Sequence, residues 1–269
     1  MKSSLSLVVI TKNAEKYLNK TLSSVNKLAD EKIVIDDYST DNTVKIAKKY
    51  RAKIFLHHDR DLGKQRAYGL KKVTKEWVLI LDADEWLSNN LRKEIVKLLN
   101  CYIVKYDAYW IPFQTHFLGK PLHYGGENYN KLRLFKKDAV IVKPSLVHEQ
   151  YRLIKGKAGY LKNKVYHYSY QSIASMFKKF TDYAKRTAEE KINNNEKTSL
   201  KKIILYPIHM FWARFIKDKG YRDGLFRIPL DLGFAYMEFL TYSLMLFMTR
   251  QSKFYHTRVS PSLTGSPRK

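Results

Sequence analysis

Two carboxylates at spacing i, i+2, Asp82 and Asp84, directly follow the apolar run 77–81. A run of about five apolar residues has the length of a buried parallel strand. Side chains two positions apart on an extended backbone point the same way. Hard divalent cations prefer oxygen ligands, and Mg²⁺ commonly binds one or two protein carboxylates together with substrate phosphates. The pattern therefore indicates a metal-dependent site for a phosphorylated substrate.

A second acidic pair, Asp36 and Asp37, ends the apolar run 33–35. Strand alternation turns one of the two toward the crevice beyond the strand ends, where ligands of open α/β sheets bind. A carboxylate there can accept hydrogen bonds from a base or a ribose. Both pairs are also compatible with helix capping, because residues 39–42 and Ser88 are good N-cap candidates. Taken alone, each pair is weak evidence for a site.

The elements that would position these carboxylates alternate along the first third of the chain. Apolar runs predict strands at 5–10, 32–35, 52–56 and 77–81. Apolar residues at helical spacing predict helices at 13–28, 44–50, 64–73 and 91–99. This alternation indicates βαβ units and a parallel sheet. Further strands and active-site loops are expected in 106–154, and helices from Tyr170 onward, including 200–216 and 228–248.

The chain has 269 residues and a formal net charge of +25, of which residues 151–269 carry +15. Such a field attracts polyanions, namely nucleic acid, anionic lipid or a phosphorylated glycolipid, although a lysine-rich solvated surface has the same composition. No helix-turn-helix, zinc or RNA-binding motif is present, which argues against a specific nucleic-acid partner. No Gly-x-Gly-x-x-Gly follows the first strand, which disfavours a dinucleotide oxidoreductase.

The single cysteine, Cys101, excludes an internal disulfide and fits a reducing compartment. We expect it to be a small buried apolar residue rather than a nucleophile, because no catalytic motif surrounds it. The first apolar run, 5–10, is too short for an export signal.

The most apolar stretch, 228–248, is nearly long enough to span a bilayer. It contains Asp231 and Glu238, and an acid buried in lipid costs several kcal/mol. Three interpretations stay open: a helix docked on a membrane, the core of a soluble helical bundle, and a true span.

The chemical motifs occur in a fixed order over roughly residues 5–170. They are, in chain order, 11–13, 36–41, the turn 63–66, 82–84, 117–120, 125–126, 132–135, 147–149 and 167–170. This order resembles the family-2 glycosyltransferases of GT-A fold, and most closely their lipopolysaccharide-core and related cell-surface subgroup. The resemblance implies an α/β fold, with a Rossmann-like, mostly parallel central sheet and flanking helices, followed by a helical C-terminal region.

Three parts of the chain are expected, the first from the resemblance and the other two from the residue pattern and composition. A catalytic domain is expected at 1–169, with a nucleotide-sugar half at about 1–100 and an acceptor half at about 101–169. A basic amphipathic helical region follows at 170–250. The Ser/Pro/Gly-rich tail 251–269 is expected to be disordered.

The resemblance also assigns residues to the nucleotide sugar. The expected nucleotide-sugar contacts are Thr11, Asn13, Glu15, Asp37, Lys64, Arg66, Asp82 and Arg133. Thr11, Asn13 and Glu15 would line the nucleotide edge, and Asp37 would contact the uracil or ribose. Asp82 would lie beside the ribose and sugar phosphate, while the three basic side chains would add positive charge.

Asp84 would ligate Mg²⁺ or Mn²⁺ that bridges the pyrophosphate, with Asp82 nearby. Such a cation acts as a Lewis acid and stabilises the charge that develops on the leaving group. Inverting transfer also needs one general base for the acceptor hydroxyl. Glu149 is the expected base, with His148 and Glu127 as alternatives.

Three positions depart from the pattern of the family. Glu127 and Asn130 stand where relatives often have an aromatic residue and an acid, and Tyr38 stands where glycine is usual. The first two departures fall in the acceptor half and the third at the nucleotide edge. His167 is expected to have a structural role where the chain leaves the catalytic domain.

The sequence thus predicts a metal-dependent inverting hexosyltransferase that uses a nucleotide sugar. We expect this donor to be a UDP-sugar. Its acceptor would be a cell-surface glycolipid, an oligosaccharide or the lipopolysaccharide core, and its location the cytoplasmic, inner face of the membrane, held by anionic lipid. The alternative is a polyprenyl-phosphate glycosyltransferase, which a clear pair of membrane spans would favour. A more remote alternative is a non-enzymatic polyanion-binding protein.

Overall fold

The computed structural model describes residues 3–101, 104–143 and 150–258. The strands are β1 (Leu5–Thr11), β2 (Glu31–Asp36), β3 (Lys53–Leu56), β4 (Trp77–Asp82), β5 (Glu85–Leu87), β6 (Ala108–Phe117), β7 (Lys120–Pro121), β8 (Asn128–Lys136), β9 (Val140–Lys143), β10 (Gln150–Leu153), β11 (Ala158–Tyr160) and β12 (Val165–Tyr170). The α-helices are α1 (Glu15–Val25), α2 (Thr43–Lys49), α3 (Leu62–Lys71), α4 (Asn89–Leu99), α5 (Ile173–Asn193), α6 (Leu200–Trp212) and α7 (Ile228–Arg258). A π-helical turn (Ala213–Lys217) and two 3₁₀ turns (Gly220–Asp223 and Leu225–Arg227) join α6 to α7.

The central sheet has the strand order β3-β2-β1-β4-β8-β6-β12-β5, and β7 and β11 both pair with β6. Strands β1 to β4 are mutually parallel. Strand β8 pairs antiparallel with both β4 and β6, whereas β12 runs parallel to β6. The predicted α/β class, with a mostly parallel sheet followed by a helical C-terminal region, is confirmed.

The centre of the sheet is buried on both faces. All seven residues of β1 are buried, as expected for an inner parallel strand that reads as one apolar run. Helices α1 and α4 cover one face with apolar residues at helical spacing, and α3 covers the other. Gly69 lets α3 approach the sheet closely, because a Cβ there would lie 2.7 Å from Val8 Cγ1.

Two local predictions need correction. Residues 63–66 are the first turns of α3 rather than a turn, because the Asp61 side chain accepts a hydrogen bond from the Lys64 amide and caps the helix one residue before Leu62. Cys101 is exposed rather than buried. It follows Leu99, the last buried residue of α4, and the Ser3 amide donates a hydrogen bond to the Leu99 carbonyl. Cys101 therefore lies near the start of β1.

Helix α7 packs against α5 and α6. Its Gly233 faces Met176 and Phe180 of α5, and a Cβ there would lie 2.8 Å from both side chains. The helix ends at Arg258, later than predicted, because no proline or glycine interrupts the chain between Gly233 and Pro261. Residues 259–269 of the predicted tail lie outside the described residues.

The segment Leu225–Thr249 has a mean hydropathy of 1.2 and, among the described residues, is the one helical segment whose length and composition would allow it to cross a membrane. The core helix of a soluble protein meets the same criterion. Here Asp231 is fully buried and accepts hydrogen bonds from Arg227. The charge of Asp231 is thus paired inside the protein, and the lipid cost counted for this residue does not arise.

Glu31 joins three segments at the amino-terminal side of the sheet. Its carboxylate accepts hydrogen bonds from Ser6 Oγ, Lys53 Nζ and the Thr74 amide at 2.6, 2.8 and 2.9 Å. Burial opposes ionisation, but these hydrogen bonds outweigh it and lower the pKa of Glu31 to about 2.

We therefore expect Glu31→Gln to lower the free energy of unfolding by about 2–3 kcal/mol near neutral pH. Because the pKa is depressed in the folded state, this contribution is present above about pH 4.5 and is lost as the pH falls toward 2. Urea denaturation of both proteins across this range measures the difference. Glu76→Gln, at an exposed position, is the matched control, and a pH-independent difference for Glu31→Gln would contradict the assignment.

Candidate functional site

The carboxyl ends of β1, β2 and β4 bring the predicted residues to one edge of the sheet. Thr11 lies opposite Asp36 in the β1–β2 register, and Ile10 lies opposite Asp82 in the β1–β4 register. The two acidic strand ends are thus separated only by β1. This edge is where an open α/β sheet binds its ligand.

Asp36 is fully buried and connects the end of β1 to the loop that follows β2. Its carboxylate accepts hydrogen bonds from Thr11 Oγ1 at 2.8 Å, the Ser39 amide at 2.8 Å and Ser39 Oγ at 2.6 Å. The Thr11 hydroxyl, expected at the nucleotide, is therefore occupied by Asp36. Of the two neighbouring aspartates, Asp37 is the one left for a ligand.

Asn13 and Glu15 hold the loop that follows β2. Asn13 Oδ1 accepts a hydrogen bond from the Thr40 amide at 2.8 Å, and Glu15 Oε2 accepts one from the Asn42 amide at 3.0 Å. Asn13 and Tyr38 both have left-handed backbone, with φ of 48° and 50°. That conformation favours glycine, which explains why glycine is the usual residue at the position of Tyr38 in the family that the sequence resembles.

Asp37 is 7% exposed and faces the side chains of Lys12 and His58. Lys12 Nζ donates a hydrogen bond to it at 2.8 Å, and His58 Nδ1 lies 2.6 Å from its other oxygen. Burial opposes ionisation of Asp37, but Lys12 and His58 outweigh it and lower its pKa. Asp37 therefore stays an anionic acceptor. His58 follows β3, and no sequence motif pointed to it.

Asp82 is the most strongly paired carboxylate of the edge. Arg66 Nη2 donates a hydrogen bond to Asp82 Oδ1 at 2.6 Å, and Arg133 Nη2 lies 3.5 Å from Oδ2. Burial opposes ionisation, but Arg66, Arg133 and Lys131 outweigh it and hold the pKa of Asp82 well below its usual range. Asp82 is therefore charged at any working pH.

The two arginines lie behind Asp82 rather than at the surface of the cleft. Arg66 is 2% exposed and Arg133 is fully buried. Tyr151 accepts a hydrogen bond from Arg133 Nη1 at 2.8 Å, which fixes the guanidinium from its far side. Both side chains were expected to supply positive charge to phosphate, and in this geometry they fix and neutralise Asp82. Lys64, the third expected cation, is exposed on the first turn of α3.

Glu85, fully buried, completes the cluster around Asp82. Its Oε2 accepts a hydrogen bond from the Asp82 amide at 2.9 Å, and Lys131 Nζ lies 3.5 Å from Oε1. Asp82, Glu85, Arg66, Lys131 and Arg133 together carry three positive and two negative charges. The cluster as a whole thus favours an anionic ligand beside it.

Asp84 has a different environment from Asp82. Within the described part of the chain its carboxylate accepts no hydrogen bond, and it is 27% exposed. His167 Nε2 lies 3.7 Å from Asp84 Oδ1, and His167 Nδ1 lies 3.0 Å from the Tyr129 hydroxyl. Burial lowers the pKa of His167 despite the opposing effect of Asp84 and Glu85, which favours the neutral imidazole.

A divalent cation fits the pair Asp84 and His167. A carboxylate oxygen and a neutral imidazole nitrogen are both metal ligands. A histidine that binds a metal through one nitrogen usually has its other nitrogen in a hydrogen bond, and here the Tyr129 hydroxyl is the partner of His167 Nδ1. Among the described residues no group of three or more His, Cys, Asp or Glu side chains could hold a metal by itself. The remaining ligands would come from substrate phosphates and water. From the sequence, His167 was expected to have only a structural role.

Helix α5 adds a cation to the same site. Lys179 Nζ donates a hydrogen bond to Ser169 Oγ at 2.7 Å. Burial lowers the pKa of Lys179, but Tyr183, Asp84 and Asp82 outweigh it, so the pKa is raised. The site thus includes a residue beyond the domain boundary predicted at 169.

Glu127, the alternative base, belongs to a second ionic cluster. Its carboxylate is 5% exposed and pairs with Arg214, while Arg227 Nη2 lies 4.0 Å away. Two guanidinium groups favour the ionised, hydrogen-bonded carboxylate, which is unsuited to taking a proton from an acceptor. The expected base Glu149 and the alternative His148 lie outside the described residues.

Arg227 fastens the loop 123–127 to the C-terminal helices. It donates hydrogen bonds to the carbonyls of Tyr124 and Gly125 at 2.8 and 3.0 Å, and to Asp231 Oδ2 at 2.8 Å. Asp223 accepts from the His123 and Tyr124 amides. Gly125 has φ of 69°, and a Cβ there would overlap the Arg227 guanidinium. We call Glu127, Arg214, Asp223, Arg227 and Asp231 the loop clamp.

We expect Arg227→Met to lower the free energy of unfolding by about 3–5 kcal/mol, because it leaves the buried carboxylate of Asp231 without its main partner. Arg222→Ala, which removes an exposed guanidinium five positions away, is the control and should change stability by less than about 0.5 kcal/mol. Urea denaturation measures both. Similar small effects would show that the loop clamp is not needed for folding.

Comparisons with known proteins agree on one family. The model of the family described as glycosyl transferase family 2 matches residues 6–148. An uncharacterized glycosyltransferase of Rickettsia typhi is 30% identical over 246 residues, which cover 88% of this chain and 84% of the relative. The poly(ribitol-phosphate) beta-N-acetylglucosaminyltransferase TarS of Staphylococcus aureus is 33% identical over 106 residues, which cover 35% of this chain and 18% of TarS. The crystal structure of S. aureus TarS 1–349 aligns with a TM-score of 0.47 at 17% identity, covering 93% of this chain and 92% of that one.

Proposed function

The chain belongs to glycosyl transferase family 2, and we propose that it is a metal-dependent, inverting hexosyltransferase that uses a UDP-sugar. The observation that carries the proposal is the contrast between two carboxylates on one strand end. Asp82 is neutralised by buried arginines, whereas the Asp84 carboxylate accepts no hydrogen bond from any residue that the structure describes and lies beside a neutral His167. That contrast suits a site in which one acid orients the sugar phosphate and the other binds a cation.

The donor would lie along the edge of the sheet formed by the carboxyl ends of β1, β2 and β4, which we call the carboxyl edge. Asp37, kept anionic by Lys12 and His58, would accept hydrogen bonds from the uracil or ribose. Asp82 would lie beside the ribose and the sugar phosphate, held in place by Arg66 and Arg133. Asp84 and His167 would hold Mg²⁺ or Mn²⁺, which when bound stabilises negative charge on the diphosphate leaving group.

Transfer with inversion needs one base that removes the proton of the acceptor hydroxyl as it attacks the anomeric carbon. Glu149 is our candidate and His148 the alternative. The pairing of Glu127 with Arg214 and Arg227 supports its exclusion from this role. Loop 123–127, fixed by the loop clamp, would then contribute to the wall of the acceptor pocket.

The acceptor in this proposal is a cell-surface glycolipid or a lipopolysaccharide core, and the enzyme works on the inner face of the cytoplasmic membrane. The net charge of +15 in residues 151–269 supports an anionic surface or a phosphorylated acceptor. Polyprenyl phosphate is the second candidate acceptor. Because the relative TarS is named as an N-acetylglucosaminyltransferase, UDP-GlcNAc belongs in the donor panel beside UDP-hexoses.

We expect Asp84→Asn to weaken Mn²⁺-dependent binding of UDP by at least about tenfold, because it removes a charged cation ligand. Titration calorimetry of UDP with and without Mn²⁺ measures this without relying on turnover. Asp138→Asn, at an exposed acid on the turn between β8 and β9, is the control. If Asp84→Asn binds UDP and Mn²⁺ as the unmodified chain does, the cation site is misassigned.

We expect Glu149→Gln to abolish sugar transfer while UDP affinity stays within about twofold, since the base acts on the acceptor and not on the nucleotide. The assay is a donor and acceptor screen with purified protein and Mn²⁺. Glu127→Gln should instead lower stability, because it breaks the loop clamp. An active Glu149→Gln enzyme would transfer the role of base to His148.

A further inference from the structure

Helix α6 presents a row of apolar side chains to solvent. Leu200, Ile204, Ile208, Trp212 and Ile216 come from successive turns of α6 and the π-helical turn, and their exposed fractions are 67, 61, 62, 48 and 48%. No residue of α6 is fully buried. We call these five residues the apolar stripe. Contiguous exposed apolar residues of this kind mark an interaction surface rather than ordinary surface composition.

The packing of α6 does not use the apolar stripe. The helix contacts α7 through its other side, where Ile203 packs against the cluster of Ala188, Tyr242 and Met245. Tyr206 meets the ring of Tyr242 edge-on at 4.9 Å between centroids. The stripe residues therefore keep about half or more of their surface exposed, and this apolar area remains available for a partner.

Cations border the stripe. Lys201, Lys217, Lys219 and Arg222 are exposed in the segment from α6 to the first 3₁₀ turn. Of the two acids in this segment, Asp223 is already held by Arg227 and the amides of loop 123–127, which leaves Asp218. An apolar face with basic borders is the pattern of a helix that lies in the interface of an anionic membrane. A tryptophan such as Trp212 suits the headgroup level.

We infer that α6 and the π-helical turn dock on an anionic lipid surface, with the apolar stripe inserted among the acyl chains and the bordering cations against lipid phosphates. This assigns the docking face to residues 200–216, whereas a docked helix at 228–248 was one of the three interpretations that the sequence left open. A second copy of the chain is a poorer occupant, because two molecules of net charge +25 repel each other at contact.

The loop clamp connects this face to the proposed acceptor pocket. Arg214, within the π-helical turn, pairs with Glu127, and the Asp218 carbonyl accepts a hydrogen bond from the Gly125 amide at 2.9 Å. A lipid-borne acceptor would thus reach the pocket from the side on which the protein is anchored. This part rests on the proposed function, whereas lipid binding itself does not depend on any catalytic residue.

The test is co-sedimentation of the full chain with vesicles of phosphatidylcholine containing about one-third phosphatidylglycerol. The double variant Ile204→Glu/Ile208→Glu should reduce the partition coefficient at least about tenfold, because both apolar side chains are replaced by anions at the inserted face. The control Leu56→Glu/Ile154→Glu changes two apolar residues, each 55% exposed, that lie outside the stripe. It should lose no more than about twofold.

A second readout follows the inserted residue directly. Brominated lipid should quench the fluorescence of the chain, and Trp212→Phe should remove most of that quenching while Trp110→Phe should not. Lys217→Ala/Lys219→Ala should weaken binding to the anionic vesicles and leave any binding to pure phosphatidylcholine unchanged.

Several outcomes would overturn the inference. These are a wild-type chain that stays in the supernatant, equal losses for the stripe and control pairs, and quenching that persists in Trp212→Phe. A concentration-dependent dimer that the stripe variant abolishes would identify a second copy as the occupant instead. UDP binding with Mn²⁺ should be unchanged in the stripe variant, so that failure of the docking surface is distinguishable from failure of the proposed catalytic site.

Discussion

The carboxylate of Asp82 is held between two buried guanidinium groups, and the shape of the carboxyl edge depends on that pairing. Arg66 comes from α3, Arg133 from β8 and Asp82 from the end of β4. An unpaired charge at this depth costs several kcal/mol, so the three elements must meet in one arrangement. The close approach of α3 at Gly69 and the antiparallel register of β4 with β8 provide that arrangement. Because Asp82 and Glu85 pair with the two arginines, Asp84, two residues further along, can bind a ligand.

The loop clamp plays the corresponding part at the start of β8, toward the carboxyl end of β4. It joins Glu127, between β7 and β8, to Arg214, Arg227 and Asp231 of the helical region. Together with Lys179 of α5, it makes the C-terminal helices part of the site rather than an appended module. A division of the chain at 169 would therefore separate Glu127 from Arg214 and Ser169 from Lys179.

The sequence predicted the order of elements and the two acidic strand ends well, because buried parallel strands and amphipathic helices leave a periodic signal. The i, i+2 spacing of Asp82 and Asp84 was also readable. The partners of these acids were not: His58, His167 and Tyr129 reach the edge through tertiary packing across long stretches of chain, which no local pattern encodes. The pairing of Arg227 with Asp231 was visible as an i, i+4 spacing, yet from the sequence Asp231 was considered only as a cost of placing this helix in lipid. The choice of Glu149 as base stays a prediction.

The position of Cys101 has a practical consequence. It is the only cysteine of the chain, it is exposed, and it follows α4 beside the start of β1, at the opposite edge of the sheet from Asp37, Asp82 and Asp84. A thiol-reactive dye or a maleimide-coated support would therefore attach at one defined point and leave the carboxyl edge facing outward. Single-molecule or surface-based work on this protein needs no engineered cysteine.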